Sequence, residues 1–277
     1  MTATATKDGT VMTTTPQCGP RRGRRKVARA TAVAVATAAL VLMAGCGTQT
    51  AGEADPGAHR VGDPDYVFDQ IKTARESGVA LVSHPDSLLD SLPNHHVIAK
   101  TEKGTIETAF TDLVLTGKVV DVRPGDAVRY TSTDPSFEGN EEEGIKSVDF
   151  DDPAANDRNV VVTIKPTWSA GEKIGETIEV RMGTAGGDPH DFMAGLRGLQ
   201  DDETLWLLKR SAQSRYQGEW TTVMGSALVG PVGQDGTINF PALGGDEEGF
   251  VKTLTTITAV REAAEGPERT TQMDLTQ

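Results

Sequence analysis

Leu113-Val114-Leu115-Thr116-Gly117-Lys118-Val119-Val120-Asp121-Val122 decides the fold class. The run is dense in apolar and β-branched residues, which suit a pleated, half-buried surface, and Pro124-Gly125 reads as its stop. Gly117 interrupts it, the mark of a bulge or a barrel bend. Similar short runs follow. Val160-Val161-Val162-Thr163-Ile164 predicts a strand, and Thr177 to Met182 alternates after a turn around Gly171 and Gly175. Thr204-Leu205-Trp206-Leu207-Leu208 predicts another, and Trp220 to Met224 follows a hairpin-like turn at Gln217-Gly218. Asp235-Gly236 is a strong turn signal before Thr237-Ile238-Asn239-Phe240. Strands at this spacing, with glycine corners, predict a small barrel or sandwich. A content of 30 Gly and 14 Pro also favours a turn-rich β protein over a helix bundle.

The flanks of this region read as helix and short strands. Asp63 can cap a helix and Pro64 suits its first position, with Val67, Phe68, Ile71 and Ala74 on one face and Gly78 as a stop. Val79 to Val82 and Val97-Ile98-Ala99 read as strands, with a helical turn or two between Pro85 and Leu92. Between Asp134 and Asp152 lie eight carboxylates in 19 residues, which read as a mobile acidic loop. At the other end, Asp246 can cap a closing helix with the apolar stripe Val251, Leu254, Ile257 and Val260, ended by Gly266-Pro267. Its threonines, Thr253, Thr255, Thr256 and Thr258, are poor helix formers.

The first 45 residues are of a different kind. Arg21-Arg22-Gly23-Arg24-Arg25-Lys26 form a basic cluster, and Ala30 to Ala44 is an apolar run of 15 residues without charge. A membrane-spanning helix needs about 20 such residues. The pair fits the basic and apolar regions of an export signal. The run ends Leu42-Met43-Ala44-Gly45-Cys46. This resembles the lipobox of bacterial lipoproteins, with Met43 standing where Leu is usual. The resemblance implies cleavage before Cys46, a diacylglyceryl thioether on its sulfur, and attachment to the outer face of the cell membrane. Two acyl chains or more hold stably, at ~0.8 kcal/mol per buried CH₂. The paired arginines leave the export route open between the general and the twin-arginine pathway.

The expected organisation is therefore a signal peptide over 1–45 and a flexible Gly-, Ala- and Thr-rich tether over 46–62. An α/β extension follows over 63–110, then a β-barrel domain over 111–265 with its acidic loop and closing helix, and a disordered tail over 266–277. The fold class is α+β, mainly antiparallel β. The succession Val119 to Val122, Val161 to Ile164 with Gly171, Ile178 to Val180 and Leu205 to Leu208 resembles the small OB-like barrels of exported bacterial proteins of uncertain role. That resemblance covers about residues 111–240 and rests on strand rhythm. It implies an open face for ligands, though a fold does not settle a function.

Charge and motif narrow the chemistry. The whole chain carries −13; residues 1–45 hold seven basic groups and one acid, so the mature chain is near −19. Such a surface repels nucleic acid and anionic headgroups. Of two cysteines, Cys18 leaves with the signal and Cys46 stands alone, so no internal disulfide and no cysteine-based zinc site is available. The sequence lacks G-x-S-x-G, H-E-x-x-H, a P-loop and a serine followed three places on by lysine. No catalytic residue and no cofactor is assigned; only a pocket joining Ser169 or Ser226 to a histidine would make this an envelope hydrolase. His84, His95, His96 and His190 are the candidate metal ligands, against the plainer reading of polar loop histidines. In Asp188-Pro189-His190-Asp191 two carboxylates flank the imidazole, but Pro189 reads first as a turn. Neighbouring residues on a strand point to opposite faces, which separates His95 from His96. Asp149, Asp151 and Asp152 approach a calcium loop, but Ala154 stands where its glycine belongs. Trp168, Trp206 and Trp220 read as core or rim packing. The function expected is a lipid-anchored, non-catalytic binding or scaffold module of the cell envelope, its partner an envelope protein or a cation.

Overall fold

A computed structural model describes residues 61–77, 87–101, 104–130 and 144–274. Cys46, His84 and the strand expected at Val79 to Val82 lie outside these residues. The first element is α1 (Pro64–Glu76), and its start is the expected one. The Asp63 side chain accepts from the Asp65 N–H at 3.0 Å, Pro64 opens the first turn, and Val67, Phe68 and Ile71 are buried. No described helix is long and apolar enough to cross a membrane.

Among the described residues ten strands form two mixed sheets, and strands dominate over helices. The smaller sheet joins β1 (His95–Thr101), β2 (Gly104–Ala109) and β10 (Arg269–Asp274) in the order β10-β1-β2, with β10 parallel to β1. The larger contains β3 (Leu113–Tyr130), β4 (Ile145–Val148), β5 (Asp157–Gly171), β6 (Ile178–Gly183), β7 (Thr204–Arg210), β8 (Trp220–Thr222) and β9 (Val229–Pro231). Its order is β4-β3-β5-β6-β8-β7-β9, and the start of β3 also pairs with β7. Antiparallel pairs predominate; β1 with β10 and β6 with β8 are the parallel ones. The core gathers around Trp206, Phe192, Phe240, Leu115 and Ile164.

Several expectations are corrected. The first long strand does not stop at Pro124-Gly125. It runs on to Tyr130, with register shifts at Thr116/Gly117, Val119/Asp121 and Pro124/Ala127, so proline and glycine form a bulge within the strand. The acidic segment contains β4, and its end is a turn: Asp152 N–H donates to Asp149 C=O at 3.0 Å, and Arg158 Nε donates to Phe150 C=O at 2.7 Å. Asp188-Pro189-His190-Asp191 is no isolated turn. It opens α2 (Pro189–Gly198), with the Asp188 side chain accepting from the N–H groups of His190 and Asp191. This helix crosses α1 closely, because a Cβ on Gly195 would stand 2.6 Å from Val67 Cγ2.

The closing helix is two helices, α3 (Glu247–Val251) and α4 (Ile257–Ala264). Lys252 breaks the run at φ +39°, and Thr256 Oγ1 accepts from Ala259 N–H at 3.3 Å to start the second helix. A threonine that caps well does so at the expense of a continuous helix. The tail over 266–277, expected to be disordered, supplies β10. Arg269 ties it down by donating to Leu89 C=O at 2.8 Å and Asn94 Oδ1 at 3.1 Å.

One chain of hydrogen bonds fastens α4 to the larger sheet. Arg261 donates to Thr116 Oγ1 at 3.1 Å, the Thr116 and Thr167 hydroxyls meet at 2.9 Å, and Thr167 donates to Glu203 Oε1 at 2.6 Å. The Thr167 hydroxyl, with help from Thr116, Arg261 and Lys118, holds the Glu203 carboxyl below its ordinary range. A depressed carboxyl pKa adds stability above its unfolded value and loses it as pH falls through the folded one. Thr167→Val is therefore expected to cost about 1–2 kcal/mol at neutral pH. The gap to wild type should close in acid, as followed by urea unfolding across pH; a constant gap would count against the ionised Glu203 as the cause.

Gly171 ends β5 at φ +103°, and a Cβ there would run into the Asp112 carbonyl and Pro93. Gly171→Ala is expected to destabilise by roughly 1–3 kcal/mol. Gly186→Ala, at φ +81° in open space, should cost less. Equal unfolding midpoints for the two variants would contradict this account.

Candidate functional site

Strand alternation builds the site. On β6, Ile178, Val180 and Met182 point to the core, which turns Glu179 and Arg181 outward. Register then sets Arg123 of β3, Val161 of β5, Arg181 of β6 and Thr221 of β8 in one cross-strand row. Above this row lies a groove of about 740 Å³. Its walls are the β3 bulge at Pro124, Gly125 and Asp126, the β5–β6 turn at Lys173 to Gly175, and Arg210, Glu219 and Trp220. A smaller hollow of about 190 Å³, reaching Asn159, Ser211 and Tyr216, shares Arg181, Glu219 and Trp220 with it.

Arg181 is the centre of the groove. Its side chain is only 16% exposed. Nε and one terminal nitrogen donate to Glu219 Oε2 at 2.8 and 2.6 Å; the other terminal nitrogen donates to Asp126 Oδ2 at 3.1 Å and to Asn159 Oδ1. The guanidinium also lies 4.2 Å from the centre of the Tyr216 ring. Asn159 is buried and receives the Asp126 N–H at 3.1 Å on the same oxygen. That contact needs the bulge: a Cβ on Gly125 would collide with Asn159 Oδ1. Nearer the rim, Arg123 bridges both oxygens of Glu179 at 2.9 Å. Arg210 lies 3.7 Å over the Trp220 ring and donates to Glu172 Oε2 at 3.1 and 3.0 Å. At the far rim of the hollow, desolvation raises the Asp157 carboxyl above its ordinary range.

Of the candidate metal ligands, the described ones, His95, His96 and His190, do not meet. His95 is buried, with Nδ1 at 3.0 Å from Asp90 C=O and 3.2 Å from Asp90 Oδ1, and Nε2 at 2.8 Å from Thr271 Oγ1. This Asp–His–Thr chain joins a 3-10 turn, β1 and β10, and neither cavity reaches it. His96 lies 3.5 Å from Glu107, and His190 sits at the start of α2, 2.7 Å from Asp151 Oδ1 and edge-on to Phe150. Among the described residues no group of three or more His, Cys, Asp or Glu side chains is placed to hold an ion. Asp149, Asp151 and Asp152 belong to the turn before β5. The buried Ser226 hydroxyl is 2.6 Å from Thr222 Oγ1, and Ser169 is exposed on β5; neither contacts a described histidine. Trp206 is fully buried, Trp220 forms the groove wall, and Trp168 donates to Glu265 from a half-buried position.

The groove residues were not singled out from sequence. Their signal is present in Ile178-Glu179-Val180-Arg181-Met182, where opposite charges alternate with core residues, a pattern shared with any solvated sheet face. No protein family, curated protein or solved structure matches the chain.

The two arginine pairs differ in burial and so in energy. Arg181→Met leaves Asp126, Asn159 and Glu219 without their donor and is expected to cost on the order of 1.5–3 kcal/mol. Arg123→Met removes an exposed pair and should cost about 0–1 kcal/mol. Urea denaturation of both variants tests the difference; equal losses would mean that Arg181 does not organise the groove.

Proposed function

We propose that the chain is a lipid-anchored binding module of the bacterial cell envelope, and that the groove around Arg181 is its recognition site. The anchor rests on the basic cluster, the short apolar run and Cys46 in sequence. The domain reading is an OB-like barrel. It is supported by the pairings, which pass from β3 to β5, β6, β8 and β7 and return to β3 at Leu113–Gly117. It is further supported by the parallel pairing of β6 with β8 and by α2 lying between β6 and β7 in the chain. The groove opens on the outer face of β5 and β6, where a barrel leaves side chains free for a ligand.

The observation that carries the reading is a large groove whose charged side chains are held in place before any ligand arrives. A site with fixed side chains loses less entropy on binding than one assembled around its ligand. The surface charge near −19 makes nucleic acid an unsuitable occupant.

Two substitutions test the two halves of the proposal. Cys46→Ser should abolish lipid labelling and release the protein from membranes or trap it as precursor; unchanged fractionation would remove the anchor. Replacing the exposed pair Arg123 and Glu179 together by alanine should weaken co-sedimentation of the purified protein with isolated envelope roughly tenfold, about 1.4 kcal/mol. Co-sedimentation equal to wild type would remove the groove as the recognition site.

A further inference from the structure

We infer that the groove takes a neutral, hydroxyl-rich ligand, a short uncharged oligosaccharide, and not an ionic one. This rests on the reading of the groove as a recognition site. Four cations stand in or on it: Arg123, Lys173, Arg181 and Arg210. Four carboxylates pair with the three arginines: Glu179 with Arg123, Asp126 and Glu219 with Arg181, and Glu172, which lies outside the lining, with Arg210. With Glu172 counted, the four cations and four carboxylates in and beside the groove cancel, inside a chain that is strongly acidic overall.

This balance discriminates among ligands. An anion approaching Arg181 or Arg210 meets a guanidinium already neutralised by a carboxylate and would be repelled by Glu219, Asp126 or Glu172. A cation meets the guanidinium beside each carboxylate. At each of the three arginines either ion would have to break a charge-assisted bond to make one, which returns little. A hydroxyl breaks none. Arg181 takes only Oε2 of Glu219 and only Oδ2 of Asp126, and Arg210 takes only Oε2 of Glu172. The second oxygen of each carboxylate can accept from a ligand O–H, because an ionised carboxylate has about four lone-pair sites. Arg123 binds Glu179 through one terminal nitrogen, which leaves donors for a ligand oxygen.

The groove's volume suits this ligand, since about 740 Å³ falls in the usual range of roughly 300–1,000 Å³ for small-ligand sites. A peptide would need apolar pockets for anchor side chains, as interface affinity concentrates in such anchors. Here the apolar surface is scant: Val161 and Ile178 are nearly covered, and the Trp220 ring lies under Arg210.

The test uses the full lipidated chain in a detergent without a sugar headgroup. Saturation-transfer NMR measures binding of neutral oligomers of glucose, mannose and N-acetylglucosamine, with oligoglutamate and oligolysine as charged probes. We expect at least one neutral oligomer to bind, its affinity changing less than about twofold between low salt and roughly 0.5 M salt, where exposed charges are screened. Glu219→Gln and, as a second lining carboxylate with one oxygen left open, Asp126→Asn should each weaken it about fivefold to tenfold, the loss of one good hydrogen bond. Failure of every neutral oligomer to bind would overturn the inference. So would binding confined to a charged peptide and lost in salt, or sugar binding unchanged by both variants. Groove-dependent co-sedimentation with envelope would then persist and keep the recognition site, whereas its loss would fell both.

Discussion

The double pairing of β3 is the constraint from which the rest of the larger sheet follows. Over Leu113–Gly117 the strand bonds to β5 on one side and β7 on the other. Both of its faces are covered there as well. Leu113 to Gly117 are all buried, with Leu115 in the core and Thr116 under Arg261 of α4. A strand closed in on both edges and both faces must be a continuous apolar run, and Leu-Val-Leu-Thr-Gly is one. From Lys118 onward, β7 no longer pairs with the strand. Buried Val119 and Val122 then alternate with exposed residues, the pattern of a strand wet on one face.

The bulges convert this strand into a wall of the groove. Each register shift bends β3 relative to β5, and the one between Pro124 and Ala127 brings Asp126 back over Asn159. Proline loses no ladder bond at a bulge, and glycine permits the approach to Asn159, so the residues that would end an ordinary strand here shape it. Arg181 then becomes affordable in a mostly covered position. An isolated guanidinium there would be costly to desolvate, and three acceptors plus the Tyr216 ring offset that cost. The same acceptors fix its rotamer, so groove geometry and fold stability share one set of bonds.

What could be read in advance was local and repetitive. Asp63-Pro64 announced α1, and the runs at Val160, Thr177 and Thr204 marked three strands of the larger sheet. Asp188-Pro189 carries the same capping signal as Asp63-Pro64, yet in sequence it reads as a turn. The reason is visible in the helix it opens: Gly195 and Gly198 lower its intrinsic propensity, and only the close packing of α1 requires them. The C-terminal break shows the reverse, where an apolar stripe at helical spacing outweighed the threonines that interrupt it. β10 is short and polar, and its strand character comes from the partner β1, 174 positions away at His95↔Arg269. The groove lay beyond reach for the same reason. Arg123, Arg181, Arg210 and Glu219 each look like solvent-facing charges until the register brings them together.

A neutral groove on an acidic, tethered domain has a consistent physical logic on the reading proposed here. Hydrogen bonds to hydroxyls compete directly with water, so a site built from them binds weakly, and each bond contributes only about 0.5–1.5 kcal/mol. Weak binding is sufficient for a protein confined near its target. On that reading, attachment to the same membrane raises the effective concentration of surface ligands toward the millimolar range. Charge on the remaining surface then serves selectivity, repelling anionic polymers. The internal ion pairs keep that charge out of the groove, which is why losing Arg181 would alter specificity as well as stability: Asp126 and Glu219 would be exposed as bare carboxylates, and the site would turn from hydroxyls toward cations.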